Sequence, residues 1–214
     1  MRAIIKRMID IYFVRHGETG GNIAKRHQQE DTKLTPLGRR QAITVAAHVL
    51  RKAPTHFFVS RRVRALETGQ SLAIALDVAP ETSDLFVEIC RPANMYGHQH
   101  RSVKTLVYLW QWWRGKVGAE NCGVDGESYK AFRQRLSDAK QFLADLPSGS
   151  RVVVVSHSVF ISMFTAHMNH ERPLSLLGAI KTFLKIKSIP NGGIVHVQFE
   201  PNRIPAWQVV RDIL

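Results

Sequence analysis

Arg151-Val152-Val153-Val154-Val155-Ser156-His157-Ser158 is the stretch from which the fold class follows. Four consecutive valines give a strand no polar face. Such a strand must be covered on both sides, as in a sheet held between two layers of helix. The elements on either side fit that picture. Val159 to Met168 continue as an apolar helix, and Glu127 to Leu146 form an amphipathic one with Phe132, Leu136, Ala139 and Leu143 at helical spacing. Ile9 to Val14 and Phe57 to Ser60 are short, apolar and rich in strand formers, so both read as buried strands. Thr35-Pro36 opens a helix, with Thr35 as N-cap and Pro36 in the first turn. That helix carries Ala42, Val45, Ala46, Val49 and Leu50 on one face and stops before Pro54. A further helix is predicted from about Val63 to Leu76. Ile194 to Glu200 alternate, and Trp207 to Val210 can pair with them as a hairpin. Strands alternating with helices imply an α/β fold: a mainly parallel central sheet with helices on both faces.

Ligands of such sheets gather beyond the carboxyl ends of the strands. Three predicted strands end in reactive side chains. The first runs into Arg15-His16-Gly17-Glu18-Thr19, the second into Ser60-Arg61-Arg62-Val63-Arg64, and the valine strand into Ser156-His157-Ser158. Two imidazoles and several guanidiniums thus meet at one sheet edge from distant parts of the chain. Each has a plain alternative: a histidine at a strand end is commonly a packed residue, and clustered arginines can be the solvated start of a helix. Placed together, they form an anion pocket with a nucleophile in it.

The bulk composition sets limits. The 214 residues suffice for one domain, taken as 1–214, with residues 89–125 as an inserted cap. No apolar run approaches the roughly 20 residues that span a bilayer, and the basic start Met1 to Arg7 is a poor leader, so a cytoplasmic protein without a membrane partner is expected. Cys90 and Cys122 lie in different segments without metal-ligand spacing and are expected as two free thiols rather than a disulfide. A net charge of +13 favours anionic partners. No long basic run or aromatic RNA-binding signature accompanies it, so a nucleic-acid partner is not expected. A small phosphorylated metabolite or a phosphoprotein would feel the same field.

The chain resembles the histidine phosphatase superfamily, the phosphoglycerate-mutase-like clan. The stretches that carry the resemblance are Arg15-His16-Gly17-Glu18-Thr19-Gly20-Gly21-Asn22 and Leu34-Thr35-Pro36-Leu37-Gly38-Arg39-Arg40-Gln41-Ala42. Ser60 with Arg64-Ala65-Leu66-Glu67-Thr68, then Gly126-Glu127-Ser128, Val155-Ser156-His157 and Asn191-Gly192, follow in the same order. Residues 89 to 125 are where the likeness fades. The resemblance implies a phosphoglycerate-mutase-like fold and a phosphoric monoester hydrolase acting through a phosphohistidine. It also places the family's acid at Glu88, with Asp84 and Glu81 as reserves. Ser158 stands where glycine is usual in the family. The sequence after Glu88 lacks the pattern of true mutases, which favours a phosphatase over a mutase. A non-catalytic phosphate-binding member is the other alternative.

The residues supply their own chemistry. Phosphoryl transfer needs positioning and neutralisation of charge more than covalent help. His16 can attack phosphorus as a neutral imidazole, and Arg15 and Arg64 can hold non-bridging oxygens in planar forks. His157, if protonated, adds a donor; Asn22 adds an amide; Gly17 lets backbone approach the ligand. No cluster of ligands with metal spacing is visible, so neither metal nor cofactor is expected. Arg61 and Arg62 either reach a second anionic group of the substrate or face water. Val103, Leu106, Val107, Trp110 and Trp113 lie at roughly helical spacing, and this helix is expected to pack over the crevice, with Tyr108, Trp112 and Trp113 as packing or as lining of a leaving-group pocket.

Overall fold

The computed structural model describes residues 8–120 and 122–213. Along the chain run β1 (Ile9–Arg15), the one-turn α1 (Gly20–Ile23), α2 (Pro36–Leu50), β2 (His56–Val59), α3 (Val63–Leu76) and β3 (Glu81–Thr82). Then come α4 (Val103–Trp113), α5 (Tyr129–Ala144), β4 (Arg151–Ser156), α6 (Ser158–His167), α7 (Leu176–Ser188), β5 (Ile194–Phe199) and β6 (Trp207–Ile213). The sheet order is β3-β2-β4-β1-β5-β6. The pairs β3/β2, β2/β4 and β4/β1 are parallel, and β5 runs antiparallel to both β1 and β6.

The valine strand is buried throughout, and alternation divides it between two cores. Val152 and Val154 join Ile11 and Phe13 of β1 under α5 and α6, where Phe132, Leu136, Phe160 and Phe164 are fully buried. Val153 and Val155 join Tyr12 and Val14 under α2 and α3, against Val45, Val49, Ala65 and Leu72. Helix layers on both faces are therefore required by the side chains of β4 and β1 alone. Caps set the helix starts: the Thr35 hydroxyl accepts from the Gly38 amide at 3.0 Å, and Ser128 caps α5. Leu50, expected on the buried face of α2, is half exposed at its last position.

Three expectations need correction. Cys90 and Cys122 form a disulfide, with Cα atoms 5.3 Å apart. Their separation of 32 residues hid the pairing, but the intervening chain folds back. The Glu127 amide bonds to the Cys90 carbonyl at 2.9 Å, and the Ser128 amide to the Ala119 carbonyl at 2.8 Å, which returns residue 122 to residue 90. The ground for a reducing compartment goes with the free thiols.

The second correction concerns α4. The helix forms, but Val103, Leu106, Val107 and Trp110 face outward, while Thr105, Tyr108 and Trp112 are the residues buried. The Trp112 and Trp113 indoles donate to the carbonyls of Glu127 and Leu174 at 2.9 and 3.0 Å, so these rings act as packing. The third is α7, a helix without an expected counterpart. It turns Gly178, Ala179 and Thr182 toward the protein and its larger apolar residues outward, so no inward stripe of large residues marks it. None of the helices among the described residues is long and apolar enough to cross a membrane.

Candidate active site

The parallel register aligns three strand ends. Arg15 sits opposite Ser156, and Val59 opposite Val155, so His16, Ser60 and His157 each follow one residue past the sheet on the same edge. The backbone there is still tied to the sheet: the His16 amide donates to the Ser156 carbonyl at 3.0 Å, and the Arg15 amide to Gly193 at 2.9 Å. Beyond His16 the chain turns over the first turn of α2. A Cβ on Gly17 would collide with the Gly38 carbonyl, and one on Gly38 with the Glu18 carbonyl. Glycine at 17 is thus demanded by the contact with α2, where approach to a ligand was expected. The Gly17 amide donates to the Thr68 hydroxyl of α3 at 3.0 Å, which in turn donates to the Arg64 carbonyl at 2.7 Å.

His16 is buried, and its Nδ1 lies 2.7 Å from the Gly17 carbonyl oxygen. A carbonyl only accepts, so Nδ1 carries the proton and Nε2 keeps its lone pair. Burial, then the charges of Arg64 and Arg15, hold the His16 pKa well below the ordinary histidine value, although the Gly17 bond pulls it up. The ring is neutral at physiological pH. Its centroid is 5.1 Å from that of His157, which is fully buried and bonded through Nε2 to the Ser60 hydroxyl at 2.8 Å. Burial, followed by Arg64 and His16, also holds His157 well below the ordinary value, so the condition on which it would act as a charged donor is not met at neutral pH in the unliganded site.

Arg64, buried on the first turn of α3, donates to the Gln29 carbonyl at 3.0 Å. Burial lowers its pKa to about 10, so it stays charged. Arg15 donates to the Ile189 carbonyl at 2.6 Å. Asn22 uses its side-chain oxygen to accept from the Thr19 amide at 3.2 Å and the Asn191 amide at 3.0 Å, which leaves its own side-chain N–H groups for another acceptor. Arg15 Nε, Arg64 Nε and His157 Nδ1 are buried without a hydrogen-bond partner. Buried polar atoms are almost always paired, so three unpaired ones on residues that crowd a free imidazole lone pair mark a place for an acceptor-rich anion.

Glu88 lies beside this group. Its carboxylate accepts from the Ile89 and Phe160 amides at 3.0 and 3.1 Å, the latter on the first turn of α6. Its charge acts on Arg15 and Arg64. Asp84 is exposed and pairs with Arg61 at 3.1 Å, and Glu81 is exposed on β3, so neither reserve joins the cluster. Arg62 is buried, pairs with Glu30 and donates to Cys90 Sγ at 3.3 Å. The pair divides: Arg61 faces water beside Asp84, and Arg62 is engaged inside the protein.

The residue that sequence reading missed is Arg135 of α5. It clasps the buried Glu127 carboxylate through two nitrogens, at 2.5 and 3.2 Å, and donates to the Leu85 and Val87 carbonyls at 3.1 and 2.8 Å. Glu127 also receives the Cys90 amide at 2.9 Å. This pair holds both sides of the segment that bears Glu88. On an amphipathic helix an arginine reads as solvated, and only its eight-residue spacing from a glutamate connects them in the sequence. Among the described residues, the one group of ligand atoms close enough to share an ion is Cys90, Cys122 and Glu127, where the two sulfurs are joined to each other.

Comparison with known proteins gives the family and the fold. A family model described as histidine phosphatase superfamily (branch 1) matches residues 11–211. A probable phosphoglycerate mutase of Yersinia pestis is 33% identical over 156 residues, 71% of each chain. A phosphoserine phosphatase from Entamoeba histolytica, solved as a mutant with phosphoserine, superposes with a TM-score of 0.67 at 25% identity, covering 96% of both chains. A putative alpha-ribazole-5'-P phosphatase from Escherichia coli has a TM-score of 0.73 at 17% identity, again over 96% of both, and shares the fold.

Proposed function

The chain belongs to the histidine phosphatase superfamily, and from that premise we propose that it hydrolyses a phosphate monoester through a phosphohistidine on His16. The observation that supports this most directly is the free Nε2 lone pair of His16 among three unpartnered buried polar atoms of Arg15, Arg64 and His157. In the first step Nε2 attacks phosphorus and the bond to the ester oxygen breaks. Glu88 delivers a proton to the leaving oxygen. Arg15, Arg64 and Asn22 hold the non-bridging oxygens, and His157 donates to them. The Gly17 carbonyl, already bonded to Nδ1–H, stabilises the positive imidazole that forms. In the second step water attacks phosphorus, Glu88 takes its proton, and the P–N bond breaks to release phosphate and neutral His16. No step calls for a metal or cofactor. The substrate is a small phosphorylated metabolite or a phosphoprotein.

A second reading is favoured by the mutase name of the Yersinia relative: the phosphoryl group passes from His16 to another hydroxyl rather than to water. One experiment separates the readings. Wild type and His16→Ala are incubated with labelled phosphate monoesters, with and without chelator, while free phosphate, isomerised ester and protein-bound label are followed. Acid-labile label on wild type, release of phosphate indifferent to chelator, and loss of all three signals in His16→Ala are expected. A variant keeping a tenth of the wild-type rate would refute His16 as nucleophile. Isomerised ester without free phosphate would establish the mutase.

A further inference from the structure

Helix α7 is amphipathic in the wrong sense for a helix that serves only its own core. Its inward face is small, with Gly178, Ala179 and Thr182 against α6. Its outward face is large and apolar: Leu176, Leu177, Ile180, Phe183 and Leu184 are all exposed, Leu177 by 71% and Leu184 by 63%. Monomeric proteins rarely leave so continuous an apolar strip in water. Helix α4 repeats the pattern, with Val103, Leu106, Val107 and Trp110 outward at one-turn spacing. The two are neighbours, since Trp113 at the end of α4 bonds to the Leu174 carbonyl two residues before α7.

The charged groups on the two helices themselves are basic, while Asp125 shares a pocket with Lys104 and Val107. Lys181 and Lys185 flank the outward face of α7, and neither α7 nor α4 contains an acidic residue. Lys104 lies on α4, and Arg114 stacks over Trp110 at 5.3 Å. Between α6 and α7 runs a groove of about 330 Å³ whose lining includes Ser162, Thr165, His170, Lys181 and Lys185. Ser162 Oγ in it is buried without a partner. A second copy of this chain, itself at +13, would bring lysines against lysines. An anionic bilayer complements both features, since apolar side chains enter the acyl boundary while lysines stay at head-group level.

We propose that the outward faces of α7 and α4 form a docking surface for an anionic lipid bilayer. Leu177, Ile180 and Leu184 insert shallowly, Lys181 and Lys185 pair with head-group phosphates, and the groove between α6 and α7 seats one of them. The expectation of no membrane partner rested on the lack of a spanning segment, which does not bear on a helix lying in the interface.

The test is flotation of the whole protein with vesicles of phosphatidylcholine alone or mixed with phosphatidylglycerol. Two variants accompany wild type: Leu177→Ser with Leu184→Ser, and Lys181→Glu with Lys185→Glu. Wild type should float with the anionic vesicles only. Each double variant should bind them at least about tenfold more weakly, while its unfolding temperature and nitrophenyl phosphate turnover match wild type. Failure of wild type to bind would overturn the proposal. So would a leucine variant that still floats, because the charge of the whole chain would then account for binding. A wild-type dimer that the leucine variant converts to monomer, with no vesicle binding, would assign the face to a second copy instead.

Discussion

Glu127→Gln is the most informative single substitution, because it removes one charge from a buried pair without changing its shape. The Glu127 carboxylate is 2% exposed and accepts from both Arg135 nitrogens and from the Cys90 amide. Arg135 is left with the Leu85 and Val87 carbonyls, and its charge lies close enough to act on His157. Stranding one partner of a buried ion pair typically costs about 3–5 kcal/mol, and glutamine keeps one acceptor, so about 3 kcal/mol is expected here. For a domain of this size each kcal/mol shifts the unfolding temperature by about 2–4 °C, which places the fall near 6–12 °C. Thermal unfolding by far-ultraviolet circular dichroism measures it. Arg135→Met added to Glu127→Gln removes the stranded charge, so the double variant should be at least about 1 kcal/mol more stable than the two single losses added together. Turnover of alkyl phosphates should fall more than that of nitrophenyl phosphate, because the displaced segment carries Glu88. A fall of under about 2 °C, or strict additivity, would refute the assignment of this pair as the clamp on residues 85–90.

Glu88→Gln should slow alkyl phosphates by about 10²–10⁴-fold and nitrophenyl phosphate far less, since an aryloxide departs without a proton; equal losses on both would remove Glu88 as acid. Acidification should destabilise the fold. His27 and His167, with pKa values lowered mainly by burial to about 3 and about 4, join His16 and His157 in binding fewer protons folded than unfolded below pH 6.5. Stability is then full above that pH and lost as pH falls toward 4, so the urea midpoint should drop between pH 7 and pH 5, and a rise would contradict the reading. Cys122→Ser opens a loop of 32 residues and should lower stability by about 2–4 kcal/mol in urea, with reductant affecting wild type but not the variant.

What the sequence disclosed was whatever a local pattern encodes. Four valines require two covered faces, Thr35-Pro36 starts a helix, and alternation from Ile194 gives a strand; each depends on near neighbours in the chain. Strand ends then located His16, Ser60 and His157 together, because a parallel sheet puts carboxyl ends on one edge. The losses came where partners are distant or a pattern is inverted. Cys90 and Cys122 meet only because Glu127 and Ala119 fold the intervening chain back. Arg135 acts across a turn and onto a different segment. In α4 the apolar stripe of helical period points outward, and the buried side is Thr105, Tyr108 and Trp112, where the Gln99 and Glu127 carbonyls accept from Thr105 and Trp112. Periodicity identifies a helix face without saying which way it points.

The protonation state of the site follows from the same long-range packing, and it sets the order of events. Burial disfavours the charged form of both imidazoles, and the guanidinium of Arg64 adds to this at each. That field keeps the His16 lone pair free, as a nucleophile requires, and it also keeps His157 from being a cation before a ligand arrives. A phosphoryl group entering between Arg15, Arg64 and His157 reverses the local sign, since its negative oxygens favour protonation of the second imidazole. In the proposed mechanism His16 escapes the same proton because its Nδ1–H is fixed on Gly17 and its Nε2 lone pair is committed to phosphorus. Under the proposed mechanism, two histidines of like environment would separate into nucleophile and donor through what each one touches: a backbone carbonyl for His16, a hydroxyl for His157.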